Sequence, residues 1–116
     1  MEKLNKIKVT IKISDEGLSS ILSSAFMSSS YWLYPSNIKE CKADFHYTLN
    51  VPITDDDSEF EKYHLTKNIL LSGLKQYIEE YGITLEENGE IDTCCLDNAE
   101  CELILQYALF GEQVFG

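Results

Sequence analysis

Arginine is absent from this sequence: all nine basic residues are lysines, against twenty acidic residues, and the formal net charge is −11. Because arginine builds most bidentate phosphate clamps, a phosphate-binding role would have to depend on lysine and backbone amides. The charge is also uneven. Residues 1–54 carry six lysines and five acids, a net of +1, and residues 55–116 carry three lysines and fifteen acids, a net of −12. Such a surface repels nucleic acid and anionic membranes and attracts basic grooves.

Other signals are missing as well. No apolar run approaches membrane-spanning length, and the first residues lack the apolar stretch of a signal peptide, so we expect a cytoplasmic protein. The four cysteines form no Cys-x-x-Cys pair, and we expect them to be reduced and buried. No glycine-rich phosphate loop, GxSxG or HExxH motif occurs. We therefore expect no catalytic activity, no cofactor and no metal site.

The length of 116 residues suits a single domain over residues 1–116. The patterns predict an α+β fold, in which a short antiparallel sheet packs against about three helices. Strict alternation predicts strands at Lys6 to Ile13 and at Phe45 to Ile53. Residues 36–44 are predicted as a loop. Residues 83–96 are ambiguous, with a turn around Asn88 and Gly89.

Three helices are predicted from caps and apolar stripes. Ser14 caps the first, and Thr66 caps a second that ends at Gly82. Asp97 and Glu100 form a capping box for the third, which Gly111 ends. The apolar residues that follow Gly111 predict that the last residues fold back onto the body.

The two histidines, His46 and His64, have no cysteine or carboxylate at a recognised ligand spacing. We expect His46 on the solvent face of its strand and His64 just before a helix cap. Asp55, Asp57 and Glu59 occupy positions 1, 3 and 5 of a calcium loop. Phe60 and Thr66, however, stand where that loop needs glycine and glutamate. A solvated acidic loop is the better interpretation.

The acidic half is where a functional interpretation competes most closely with simple solubility. Carboxylates displayed on one surface can imitate the phosphates of a nucleic acid and occupy a DNA- or RNA-binding groove. Nine acids are candidates for such a surface: Glu79, Glu80, Glu86, Glu87, Glu90, Asp92, Asp97, Glu100 and Glu102. The predicted partner-binding residues are Asp55, Asp56, Asp57, Glu59, Glu61, Glu79, Glu80, Glu86, Glu87 and Glu90.

An aromatic cluster gives an alternative site. Tyr31, Trp32 and Tyr34 are expected either to pack in the core after the first helix or to stack on a ligand.

A family resemblance covers most of the chain. LTKNILLSGLKQYIEEYG (residues 65–82) and ECELILQYALFGEQVFG (residues 100–116) resemble a family of small phage and prophage proteins. VTIKISDEGLSSILSSAF, followed by Tyr31 and Trp32, is similar to the opening of that family. The chain departs from the family at residues 100–102, where members usually carry alanine and aspartate. The resemblance implies a mobile-element setting and supplies no catalytic residues.

Three functional hypotheses follow. The leading one is a phage-encoded inhibitor of a host defence system, similar to anti-CRISPR proteins. It would bind a nucleic-acid-handling protein of the host cell, such as a CRISPR effector, by acidic mimicry, and neither nucleic acid nor membrane directly. The alternative is a module that binds or sequesters a small signalling nucleotide, using the aromatic cluster in a homo-oligomer. The third is an enzyme of unknown type that uses His46 or His64.

Overall fold

A computed structural model describes residues 3–5, 7, 9–41, 45–54 and 58–116. Within those residues the fold is α+β, as the sequence predicts, with three α-helices and one three-stranded antiparallel sheet. The elements in chain order are α1 (Asp15–Ser28), β1 (Ile38–Cys41), β2 (His46–Pro52), β3 (Phe60–Thr66), α2 (Lys67–Tyr81) and α3 (Asn98–Phe110). Short 3-10 turns lie at Ser29–Tyr31, Pro35–Asn37 and Thr93–Cys95.

The helices begin and end where their local signals place them. The Ser14 hydroxyl accepts a hydrogen bond from the Gly17 amide at 3.0 Å. The capping box of α3 is complete, since the Glu100 amide donates to Asp97 at 2.7 Å and the Asp97 amide donates to Glu100 at 3.2 Å. Gly111 then takes the left-handed conformation at φ 75°. These predictions succeed because each depends on neighbouring residues alone.

The sheet is a meander in the order β1-β2-β3, and only its central strand was predicted. The loop expected at residues 36–44 is wrong at Ile38–Cys41, because Ile38 pairs with Leu49 and begins β1, and residues 42–44 lie outside the described residues. The acidic loop was expected to lead directly into the second helix, whereas β3 intervenes and pairs with the whole of β2. Both edge strands carry weak alternation of their own and depend on β2 for their backbone partners.

The strand predicted at Lys6 to Ile13 is also wrong. Among the described residues of that segment, only Lys12 pairs with another chain segment, in an isolated parallel bridge to Glu90. Ile7 and Val9 are 86% and 70% exposed, and Lys6 and Lys8 lie outside the described residues. Alternation indicates that a segment can present one apolar face, but a strand also needs a second strand that pairs with its backbone along its length.

The core is built around α3, which packs against both α1 and α2. The crossing of α2 and α3 is close, because a Cβ atom added to Gly73 would lie 2.5 Å from the Ala108 backbone nitrogen. The inner face of the sheet contributes Leu49, Val51 and Leu65 to the same core. No helix in the described part of the chain has the length and apolarity to cross a membrane.

Candidate functional site

Several acids of the C-terminal half hold the fold together. The Tyr107 hydroxyl donates to Glu80 at 2.5 Å, and the Tyr77 hydroxyl donates to Glu100. Asp92 accepts from the Cys94 amide at 3.1 Å. With Asp97 in the capping box, these carboxylates have structural partners. The expectation that all nine acids share one outer surface is therefore wrong for the most buried of them, Glu102, which is only 8% exposed.

Three of the remaining predicted acids are exposed, and none of them is in an ion pair within the described residues. Glu79, near the end of α2, and Glu86 and Glu87, in the hairpin that follows, are all exposed. Glu90 is partly buried and closes that hairpin. Among the residues that the structure describes, one ion pair is found, between Lys67 at the start of α2 and Asp15 at the start of α1. The exposed carboxylates thus face solvent with no ion-pair partner in the described structure.

A second exposed acidic group lies at the connection between β2 and β3. The Thr54 hydroxyl accepts hydrogen bonds from the Ser58 amide at 3.1 Å and from the Glu59 amide at 3.2 Å. Glu61 accepts from the Tyr63 hydroxyl at 3.2 Å. Glu59 and Glu61 are both exposed. Asp55, Asp56 and Asp57, which the sequence assigns to the same group, lie outside the described residues.

An aromatic groove lies beside this connection and has a volume of about 520 Å³. The indole of Trp32 stacks on Phe115 at a centroid distance of 4.5 Å, and Phe110 packs edge-on against Tyr63 at 5.2 Å. The groove is lined by Tyr31, Trp32, Val51, Pro52, Ile53, Thr54, Tyr63, Phe110, Val114 and Phe115. Because none of these side chains is charged, the groove suits an apolar or aromatic occupant.

The aromatic cluster predicted from the sequence divides between core and surface. Trp32 is 2% exposed and belongs to the core, yet it also lines the groove. Tyr31 is 55% exposed and forms one wall. Tyr34 is exposed and is not among the lining residues. Trp32 therefore fits the core interpretation of the cluster, and Tyr31 fits the ligand-site interpretation.

The buried carboxylate of Glu102 fixes one wall of the groove. It accepts from the Ser28 hydroxyl at 2.8 Å, the Tyr31 hydroxyl at 2.5 Å, and the Trp32 indole and Gln106 amide at 3.1 Å each. The pKa of Tyr31 is raised to about 12, mainly by burial and next by the hydrogen bond from its hydroxyl to Glu102. Four neutral donors replace the cation that a buried carboxylate usually needs.

The part of the groove formed by Val114 and Phe115 depends on Gln106, one turn further along α3. Its carbonyl oxygen accepts from the backbone amides of Val114 and Phe115, each at 2.8 Å, and its amide nitrogen donates to the Phe115 carbonyl at 2.9 Å. Residues 111–116 thus fold back, as predicted. The sequence reasoning missed Glu102 and Gln106, and the available signal was a polar pair spaced i, i+4 within an apolar helix.

The histidines lie on adjacent strands. His46 Nε2 and His64 Nδ1 are 3.2 Å apart, so the two rings share a hydrogen bond. In the described part of the chain, no group of three or more histidine, cysteine or acidic side chains is arranged to hold a metal ion.

The cysteines are all free, but the expectation that all are buried is wrong. Cys94 and Cys95 are exposed, and Cys41 is partly buried. Only Cys101 is fully buried, and burial raises the pKa of its thiol to about 11.

Comparison of the chain with protein-family models, with curated proteins and with solved structures gives no match. The resemblance to phage proteins therefore stays a prediction, and the function has to be argued from the surfaces described above.

Proposed function

We propose that this protein is a non-catalytic inhibitor that binds a basic, nucleic-acid-handling protein of the host cell. The observation that carries the proposal is the set of exposed carboxylates with no neutralising cation in the described structure, namely Glu59, Glu61, Glu79, Glu86 and Glu87. A basic nucleic-acid groove concentrates carboxylates as it does phosphates, so the inhibitor and the nucleic acid compete for one surface.

The aromatic groove adds an apolar anchor to this electrostatic attraction. Protein interfaces combine a buried apolar centre with a polar rim, and aromatic residues supply much of their binding energy. Here Ile53 and Val114, both more than half exposed, extend the groove lining into solvent. Glu59, at the end of the β2–β3 connection, and Glu61, near the start of β3, follow Ile53 along the chain. The arrangement suits a partner surface that carries basic and apolar side chains together.

The setting of the proposal rests on the family resemblance alone. If the chain comes from a phage or prophage, its targets are host defence proteins that handle nucleic acid, and a CRISPR effector is the first to test. Acidic mimicry needs no catalytic residue and no cofactor.

The test is the plating of a phage on host cells that carry a defined CRISPR system and express this protein. Wild type should restore plaques. The triple variant Glu79→Gln, Glu86→Gln, Glu87→Gln should restore far fewer, because it removes three negative charges from one region. Ser19→Lys, Ser20→Lys, Ser23→Lys is the matched control, since it changes the net charge equally on the exposed face of α1.

The outcome separates a surface effect from a net-charge effect. If the glutamine variant fails and the lysine control works, the carboxylates of α2 and the following hairpin form the binding surface. Equal activity of the two triple variants would contradict the proposal. Binding measured with the purified effector should also weaken as salt increases, in parallel with the effector's affinity for DNA.

The groove favours a second candidate, a module that binds a small planar ligand. Its volume of about 520 Å³ lies within the range of ligand sites, which is about 300–1,000 Å³. Trp32 is the single tryptophan and lines the groove, so its fluorescence reports occupancy directly. A nucleotide that changes this emission with an affinity independent of salt would favour the module over the inhibitor.

A further inference from the structure

The polar face of the sheet carries two imidazoles that face each other across neighbouring strands. His46 pairs with Thr66 and His64 pairs with Thr48, so the two histidines are diagonal neighbours on one face. Their rings lie 5.3 Å apart, and His46 Nε2 lies 3.2 Å from His64 Nδ1. The opposite face carries Leu49 and Val51 into the core.

This spacing is that of a hydrogen bond between the two rings, and it is also close to the spacing of two ligands of one ion. Two nitrogens bound to one tetrahedral zinc at about 2.0–2.1 Å lie about 3.3–3.4 Å apart, close to the separation seen here. One strand pair fixes both histidines, so little chain entropy is lost when an ion binds. The contact is exposed, which leaves room for the rings to turn their lone pairs toward a common point.

We propose that His46 and His64 form a two-histidine chelate for one borderline divalent transition metal ion, such as Zn²⁺ or Ni²⁺. Water fills the other coordination positions. Imidazole suits these ions and binds magnesium and calcium poorly. The site is independent of the acidic surface and of the groove. Cys41, on β1, pairs directly with His46 on β2 and is the cysteine nearest to His46 in the strand register.

The experiment is a calorimetric titration of tag-free protein with NiCl₂ alone, because nickel prefers imidazole and the exposed Cys94 and Cys95 compete more strongly for zinc. Both cysteines are replaced by serine throughout. We expect one nickel ion per chain and a raised melting temperature in its presence, since the ion binds only the folded strand pair. His46→Gln and His64→Gln should each weaken binding at least about tenfold.

Asn50→Gln, on the same face of β2 as His46, is the matched control and should bind like the parent. Circular dichroism of each variant verifies that the sheet is intact. The proposal is overturned if the parent shows no saturable binding, or if either histidine variant binds nickel as tightly as the Asn50→Gln control. Zinc is then titrated into the parent protein, with ring-nitrogen shifts expected at both histidines.

Discussion

Phe115 lies parallel to Trp32, with ring planes 4° apart and centroids separated by 4.5 Å. The stack holds residues 111–116 against Trp32, which ends the 3-10 turn that follows α1. Because Gln106 holds the Phe115 backbone at the same time, the aromatic ring has one defined position. The groove therefore exists only while residues 111–116 remain folded back.

Phe115→Ala tests that dependence. Loss of the ring exposes the Trp32 indole, so we expect its emission to shift to longer wavelength. The free energy of unfolding should fall by about 1–3 kcal/mol, because the ring is only partly buried. Urea titrations followed by fluorescence measure both effects. Val114→Ala, at a side chain 54% exposed, is the control and should change little. Unchanged emission in Phe115→Ala would contradict the stack.

Glu102→Ala tests the carboxylate beneath the groove. The substitution leaves the buried Trp32 indole without an acceptor, removes one of the two acceptors of the Gln106 amide, and opens a space near the Ser28 hydroxyl. A buried donor left unpaired costs about 1–3 kcal/mol, so we expect a loss of about that size. Chemical denaturation measures it. Glu86→Ala removes an exposed carboxylate with the same charge, and equal stability losses in the two variants would show that Glu102 has no special role.

The sequence predicted the helices, which depend on neighbouring residues, and missed the edge strands, which depend on pairing between distant segments. Ser14, Thr66 and Asp97 cap their helices through bonds three residues long, so all three helices were found. β1 and β3 exist because β2 lies between them, and neither has alternation strong enough to be found without that neighbour.

The candidate surfaces show the same limit. Exposure of Glu79, Glu86 and Glu87 follows from their sequence context, and the structure agrees. Glu102 looks like another surface acid until α1 and residues 111–116 are packed around it. Its partners lie 70 or more residues away in the sequence, except for Gln106. No spacing rule identifies such a cluster, because its members meet only after folding.

The raised pKa of Tyr31 predicts a loss of stability at alkaline pH. Its pKa is raised from 10.0 to about 12, so the folded state favours the neutral phenol. The unfolded state loses this proton first, and the stabilisation present below pH 10 is lost as the pH rises through about 12. We expect the difference in stability between wild type and Tyr31→Phe to be constant below pH 10 and to shrink above it. Urea midpoints across this range measure the difference, and a pH-independent gap would contradict the prediction.

The cysteines should differ sharply in reactivity. Burial raises the pKa of Cys101 to about 11, and the folded core encloses it, so both thiolate formation and access are suppressed. Cys94 is exposed and should react first with iodoacetamide near neutral pH. Cys95 should follow more slowly, because its hydrogen bond to Asp92 raises the pKa of its thiol. Pulse alkylation with mass spectrometry measures the order, and early labelling of Cys101 in native protein would show that α3 is not enclosed as described.

Gly73→Ala should separate the two helices at the centre of the fold. The added methyl would lie 2.5 Å from the backbone nitrogen of Ala108 and 2.7 Å from its Cα, and neither atom can rotate away. Alanine otherwise favours a helix over glycine by about 1 kcal/mol, so the variant would be more stable if the helices could adjust freely. We expect the opposite, a loss of about 1–3 kcal/mol, because overpacking forces backbone shifts in both helices.

Ser72→Ala, at the adjacent exposed position of α2, isolates the propensity effect and should be neutral or stabilising. Thermal melts of the three proteins decide the matter, and a Gly73→Ala protein at least as stable as wild type would mean that α2 and α3 do not cross this closely in solution.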